Sequence, residues 1–219
     1  MLKVHKTILN IFLYLILIFI ITINYALSDE TVGDNGTLNY INDISFINQD
    51  GTINAVVEIE AGSIEKWEVN KKGDKLIHTF KDNQKKLIDY LPYPYNYGFI
   101  PQTLVPLNKG DDGDPLDIII IGPTIKKGSI IKVKVIGTMI MGDNTELDSK
   151  VIALAINNLK LSESNSIKDL EKNYIGLMDI IKIWTINHKK TVLKLDDILN
   201  KKNTMSYIIK HNKYYKEKK

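Results

Sequence analysis

The 219-residue chain contains no cysteine, which excludes disulfides and thiolate metal sites. Arginine is also missing: all 29 basic residues are lysine. Any site that would use the rigid guanidinium fork must manage with point-charge ammonium groups. A strong charge of either sign is lacking as well. The 29 lysines face 26 acidic residues, leaving a net charge of +3, too weak to argue for a nucleic-acid partner. Internal repeats and heptads are absent, so solenoid and coiled-coil architectures are not expected. What is present is ordinary for a globular protein: 44% apolar and 25% charged residues, in a chain long enough for one catalytic domain with a sizeable core.

The first 28 residues form a separate object. A basic "MLKVHK" precedes the apolar stretch "ILNIFLYLILIFIITI" over residues 8–23, and Ala26 and Ser28 supply small residues for a cut after Ser28. That is the layout of a secretory signal peptide, and it implies export to a periplasm, the exterior or, in a compartmentalised cell, an organelle. The stretch is shorter than the about 20 residues of a spanning helix. An uncleaved anchor is the alternative, and membrane contact would then be confined to residues 8–23. Residues 29–50 are polar and rich in Asn, Asp and Gly, and read as a linker. Residues 51–219 read as the catalytic domain with a helical tail.

Within that domain, "INAVVEIEAGS" alternates Val57 and Ile59 against Glu58 and Glu60, as a strand does. "EKWEVNKKGDKL" reads as a second strand running into a turn at Lys72-Gly73-Asp74. "DYLPYPYNYGFIPQT" carries three Pro and four Tyr, which predicts an ordered irregular segment rather than a helix. "DIIII", "GSIIKVKVIGTMIM" and "KVIALAI" read as strands. "SIKDLEKNYIGLMDIIKIWTIN" has helical spacing, and "TMSYIIKHNKYYKEKK" reads as a terminal helix or a frayed tail. The expected class is α+β, mainly β: a small OB-like closed β-barrel with helices packed on it.

The chemistry concentrates at "DDGDPLDI". Asp111, Asp112, Asp114 and Asp117 crowd into seven positions. In a regular strand Asp112 and Asp114 would share a face opposite Asp117; Gly113 and Pro115 break the regularity and allow convergence. Carboxylates without thiol or imidazole suit a hard divalent cation such as Mg²⁺ or Mn²⁺. An EF-hand is excluded, because the sixth position counted from Asp112 is Asp117 and not Gly. An acidic surface turn is the bland alternative. A second acidic group, "GDNTELDSK", places Asp143, Asp148 and Lys150 together, as further ligands beside a phosphate-binding cation or as a solvated hairpin. A third comprises Glu58, Lys66 and Glu68. Jointly they form an inventory for handling a polyphosphate with several divalent ions.

"DDGDPLD", followed in sequence by "D-x4-D-x-K" and preceded by "KWE" and "YNYGFIPQT", resembles the family I soluble inorganic pyrophosphatases over roughly residues 52–195. The resemblance implies hydrolysis of pyrophosphate to two phosphates by a metal-activated water, without a covalent intermediate. It implies a Mg²⁺ cofactor, with Mn²⁺ as a substitute, and a homo-oligomer, dimer or hexamer. Asp112, Asp117, Asp143, Asp148 and Glu58 would hold metals. Asp114 would be the general base or hydrogen-bond partner of the attacking water. Lys66, Tyr97, Lys150, His188 and Lys189 would contact phosphoryl oxygens, supported by Glu68 and Tyr93.

Two departures from the family pattern stand out. A phosphate-gripping Arg is replaced near Thr79, where Lys75 and Lys81 could fill in. A Tyr-Lys pair appears as His188-Lys189, which predicts weaker substrate binding with a pH dependence between about 6 and 7. His5, His78 and His211 read as structural or incidental. The alternatives to a pyrophosphatase are a turnover-deficient phosphate- or metal-binding module and an exported phosphatase of broader polyphosphate specificity.

Overall fold

The computed structural model describes residues 31–32, 38–106, 113–142, 148–156, 160–189 and 193–218. In chain order the elements are β1 (Thr31–Val32), β2 (Ile53–Ile59), β3 (Trp67–Val69), β4 (Leu76–His78), β5 (Phe80–Lys81), β6 (Gln84–Lys85), β7 (Asn96–Phe99), β8 (Asp117–Ile121), β9 (Ile130–Gly142), β10 (Lys150–Ala155), α1 (Ile167–Asn173), α2 (Leu177–Asn187), β11 (Lys194–Asn200) and α3 (Lys201–Lys218). The proposed leader over residues 1–28 lies outside the described residues, as do Asp111, Asp112 and Asp143. No helix among the described residues is long and apolar enough to cross a membrane.

Strands β10, β8, β7, β2 and β9 follow one another side by side, and β9 pairs back onto β10, which closes a five-stranded barrel. The expected OB-like, mainly β architecture is therefore present. Closure depends on the length of β9. Its first residues pair with β2, its middle pairs with β10 across a bulge at Ile152/Ala153, and its end carries β11. One pair, β8 with β10, is parallel.

Continuous apolar runs signal strands covered on both faces, and "DIIII" obeys that rule. Ile119 and Ile121 join Ile152 and Leu154 in a cluster with Leu170 of α1 and Met178, Ile181 and Trp184 of α2. Ile118 and Ile120 join Val151 and Ala153 in a second cluster that includes Ile208 of α3. Alternate residues of one strand thus tie the barrel to different helices.

Four sequence expectations need correction. The Pro- and Tyr-rich segment is not irregular throughout; Asn96–Phe99 within it is a barrel strand, which begins after the closely spaced Pro92 and Pro94. The helical stretch after Ser166 is two helices, because Gly176 adopts a left-handed φ of 80° at the start of α2. β11, unmarked by alternation, is an edge strand on β9 with no fully buried residue. Finally, residues 38–50 of the expected linker pack on the domain: Tyr40 and Ile44 are buried beside Val56 and Phe99.

Candidate active site

A cleft of about 210 Å³ opens between the barrel and α2, lined by residues of β2, β3, β7, β8, β10 and α2. Every described residue that the sequence assigned to catalysis, metal or substrate lines it: Asp114, Asp117, Asp148, Glu58, Lys66, Tyr97, Lys150, His188 and Lys189, together with the supporting Glu68 and Tyr93.

Its floor is Lys150, the first residue of β10. Its ammonium hydrogen-bonds both Asp117 and Asp148. Parallel pairing of β10 with β8 produces this contact, since Val151 is opposite Ile118 and places Lys150 beside Asp117. Lys150 is buried. Burial alone would lower its pKa, but the two carboxylates override that and raise it. Asp148 is also bonded by Lys189, at 2.8 Å. Burial opposes its ionisation, yet Lys150 and Lys189 hold its carboxyl well below the usual range.

Glu58 reaches the cleft from a bulge. The β2–β7 register shifts between Val57 and Ile59, and Gly98 makes the close approach possible: a Cβ there would fall 1.8 Å from the Val56 carbonyl oxygen. Glu58 is 5% exposed and accepts from the Val69 backbone N–H at 2.6 Å. Burial pushes its carboxyl well above the usual carboxylate range, and the charges of Asp117 and Glu68 add to that shift. Tyr97, paired opposite Ile59, is raised chiefly by burial and then by Asp117 and Asp148.

Asp114 faces the same cleft and is paired with Lys71, a partner the sequence did not reveal. Lys66 is paired with Glu68. Burial works against the Glu68 carboxylate, and the Lys66 ammonium overrides it and lowers the pKa. Thr79, Lys75 and Lys81, considered for the missing guanidinium, do not line the cleft.

The α2 wall is aromatic. Trp184 donates from Nε1 to the Leu91 carbonyl at 2.8 Å and packs on Tyr93 at 4.4 Å. Thr185 Oγ1 donates to the Ile181 carbonyl, so the Tyr95 hydroxyl, 2.7 Å away, donates to Thr185. His188 stacks on Trp184, and its Nδ1 is 2.9 Å from the Thr185 carbonyl. A carbonyl only accepts, so Nδ1 carries the proton and the lone pair is on Nε2. Burial, then Lys189 and Lys150, push His188 down to about 4. The expected titration between 6 and 7 is therefore corrected: near neutral pH this imidazole is uncharged.

The donors fit a hard divalent cation. Asp117, Asp148 and Glu58 offer only oxygen, Ser149 Oγ is buried at the cleft without a hydrogen-bond partner among the described residues, and the raised Glu58 carboxyl is the stress that a nearby cation relieves. Among the described residues no three acidic or imidazole groups converge closely enough to form a complete metal site. Asp112 and Asp143, the other expected ligands, lie outside the described residues.

Residues 55–216 match the family model described as inorganic pyrophosphatase. The soluble inorganic pyrophosphatase 6, chloroplastic, of Arabidopsis thaliana is 33% identical over 67% of this chain and 52% of its own length. The probable inorganic pyrophosphatase of Plasmodium falciparum is 30% identical over 80% of this chain and 52% of its own length. The chain thus spans about half the length of these curated relatives. Among solved structures, the type I inorganic pyrophosphatase from P. falciparum superposes with a TM-score of 0.74 at 29% identity, covering 82% of this chain and 64% of that one. The Toxoplasma gondii type I enzyme, at 23% identity, shares the fold with a TM-score of 0.76 over 85% of this chain and 97% of its own.

Proposed function

The chain belongs to the inorganic pyrophosphatase family, and on that premise we propose that its cleft hydrolyses inorganic pyrophosphate to two phosphates. One observation carries the reading. Asp117 and Asp148, joined through Lys150, share a single cleft with Lys66, Lys189 and Tyr97. Oxygen ligands for cations thus face cationic and hydroxyl donors for anions across a space that suits a small molecule.

Asp117, Asp148 and Glu58, with Asp112 and Asp143, would hold divalent cations, Mg²⁺ first; bound there, the cations neutralise substrate charge and acidify a water. Lys66, Lys189 and the Tyr97 hydroxyl bind phosphoryl oxygens. Lys150 neutralises charge beneath them. Asp114 takes a proton from the attacking water, and Lys71 steadies that carboxylate. The water oxygen bonds to one phosphorus, the bridging P–O bond breaks, and its electron pair leaves on the second phosphate. Charge placement and positioning supply the acceleration, so no protein nucleophile is required.

The test is phosphate release from pyrophosphate by the full chain with Mg²⁺, with a chelator control and with triphosphate and ATP alongside. Mg²⁺-dependent release from pyrophosphate, exceeding that from ATP, is expected. No release with any divalent ion overturns the reading.

A further inference from the structure

Three backbone segments meet at the edge of the cleft. Thr79 N–H donates to the Lys66 carbonyl at 2.8 Å, Lys86 N–H donates to the Thr79 carbonyl at 2.7 Å, and Lys66 N–H donates to the Lys86 carbonyl at 3.2 Å. The ring fixes Lys86 beside Lys66, although 20 positions separate them in the sequence. The intervening hairpin is held as well. β5 and β6 pair Lys81 with Gln84, and Asp82 and Asn83 between them have φ of 52° and 60°, the signature of a tight type I′ turn.

Lys86 is only half-exposed. Lys66 has Glu68 and Lys189 has Asp148, but the Lys86 ammonium has neither a hydrogen bond nor an ion pair among the described residues. Its surroundings are cationic. Burial first, and then the ammonium groups of Lys66, Lys189 and Lys81, lower its pKa, and Glu68 offsets them only in part. Lys66 and Lys189 line the cleft. A charge on a residue of fixed backbone, pressed by like charges and bonded to no carboxylate among the described residues, is stabilised when an anion arrives.

We propose that Lys86 is a further phosphate-binding residue of this cleft, joining Lys66 and Lys189 on one phosphoryl group of the diphosphate. It supplies the positive charge that an arginine-free chain has no guanidinium to provide. Lys75, Lys81 and Lys86 all lie outside the lining of the cleft itself; Lys75 and Lys81 are exposed, whereas Lys86 is half-buried and its backbone is bonded to that of Lys66, which does line it.

The inference rests on the diphosphate reading of the cleft. Its test uses the full chain and two readouts: steady-state hydrolysis of Mg-pyrophosphate, and calorimetric binding of methylenediphosphonate, which is not hydrolysed. Lys86→Gln is expected to raise KM and weaken analogue binding about tenfold, with a smaller change in kcat. Lys86→Arg is expected to restore both. Lys85→Gln, which removes a neighbouring charge on β6, is expected to change neither. Melting curves confirm that each variant folds. Unchanged KM and analogue affinity in Lys86→Gln overturn the proposal, as does an equal loss in Lys85→Gln. If the wild-type chain releases no phosphate, the hydrolytic reading fails by itself, and analogue affinity still decides the role of Lys86.

Discussion

His188 lies flat on Trp184, with ring centroids 4.4 Å apart and planes 7° from parallel. Stacking and the Thr185 carbonyl fix the ring, and burial keeps it neutral, down to about pH 4. An unconstrained histidine titrates near 6.5. As pH falls below 6.5 the unfolded chain takes up a proton at this position before the folded chain does, so stability declines between pH 6.5 and 4 and levels off below. His188→Gln removes this group from the balance. Its melting temperature relative to wild type is expected to rise as pH falls from 7 to 4. A difference that stays constant with pH would show that the imidazole is not held neutral.

Lys150 gives a second prediction. Removing one partner of a buried ion pair costs about 3–5 kcal/mol, and here two carboxylates lose the same cation. Lys150→Met is expected to be destabilised by about that amount without divalent ions. Mg²⁺ should then raise its melting temperature by more than it raises that of wild type, because a bound cation stabilises the folded state by mass action. Equal shifts in the two proteins would mean that Asp117 and Asp148 do not form a cation site.

Asp114 separates chemistry from stability. Its carboxylate and its Lys71 partner are solvent-exposed, and an exposed pair contributes about 0–1 kcal/mol. Asp114→Ala is therefore expected to melt close to wild type while kcat falls about 10²–10⁴-fold, the usual contribution of general acid–base catalysis. Retention of more than a tenth of the activity would remove Asp114 from the proton-transfer role.

Much of this site was legible because its residues sit on short, strongly patterned strands. Glu58 alternates with Val57 and Ile59, and Asp117 opens an unbroken apolar run, so the sequence pattern alone places each on its strand. Contacts between distant segments were not legible. Lys86 looks like one of many loop lysines until the Lys66–Thr79–Lys86 backbone ring is seen. Lys71 likewise has no sequence mark of its contact with Asp114, 43 residues away. The pKa of His188 depends on Trp184 and Thr185, whose positions are set by α2 packing on the barrel. β11 was missed because an edge strand half-covered by solvent carries no clean alternation.

The proposed leader supplies a prediction from sequence alone. N-terminal sequencing of the protein from its own cells is expected to begin at Asp29, after cleavage following Ser28. Intact protein beginning at Met1 in the cytosol would sink the proposal of export.

Gly98 links fold to site. It pairs with Val57 on one side and with Ile118 on the other, so its backbone cannot shift without opening the barrel. A Cβ would lie 1.8 Å from the Val56 oxygen, and both atoms belong to strands of the closed barrel. At Gly122 the same addition meets the Ala155 Cβ at 2.8 Å, a milder overlap than at Gly98 although that atom too is fixed to backbone. Gly98→Ala is expected to cost about 3 kcal/mol or more and Gly122→Ala about 1 kcal/mol, measured by denaturant unfolding. Any Gly98→Ala protein that folds must part β7 from β2, which draws Tyr97 away from Glu58. KM for pyrophosphate should then rise in Gly98→Ala and stay near wild type in Gly122→Ala. Equal stability and equal KM in the two variants would show that the bulge does not position the Glu58 carboxylate.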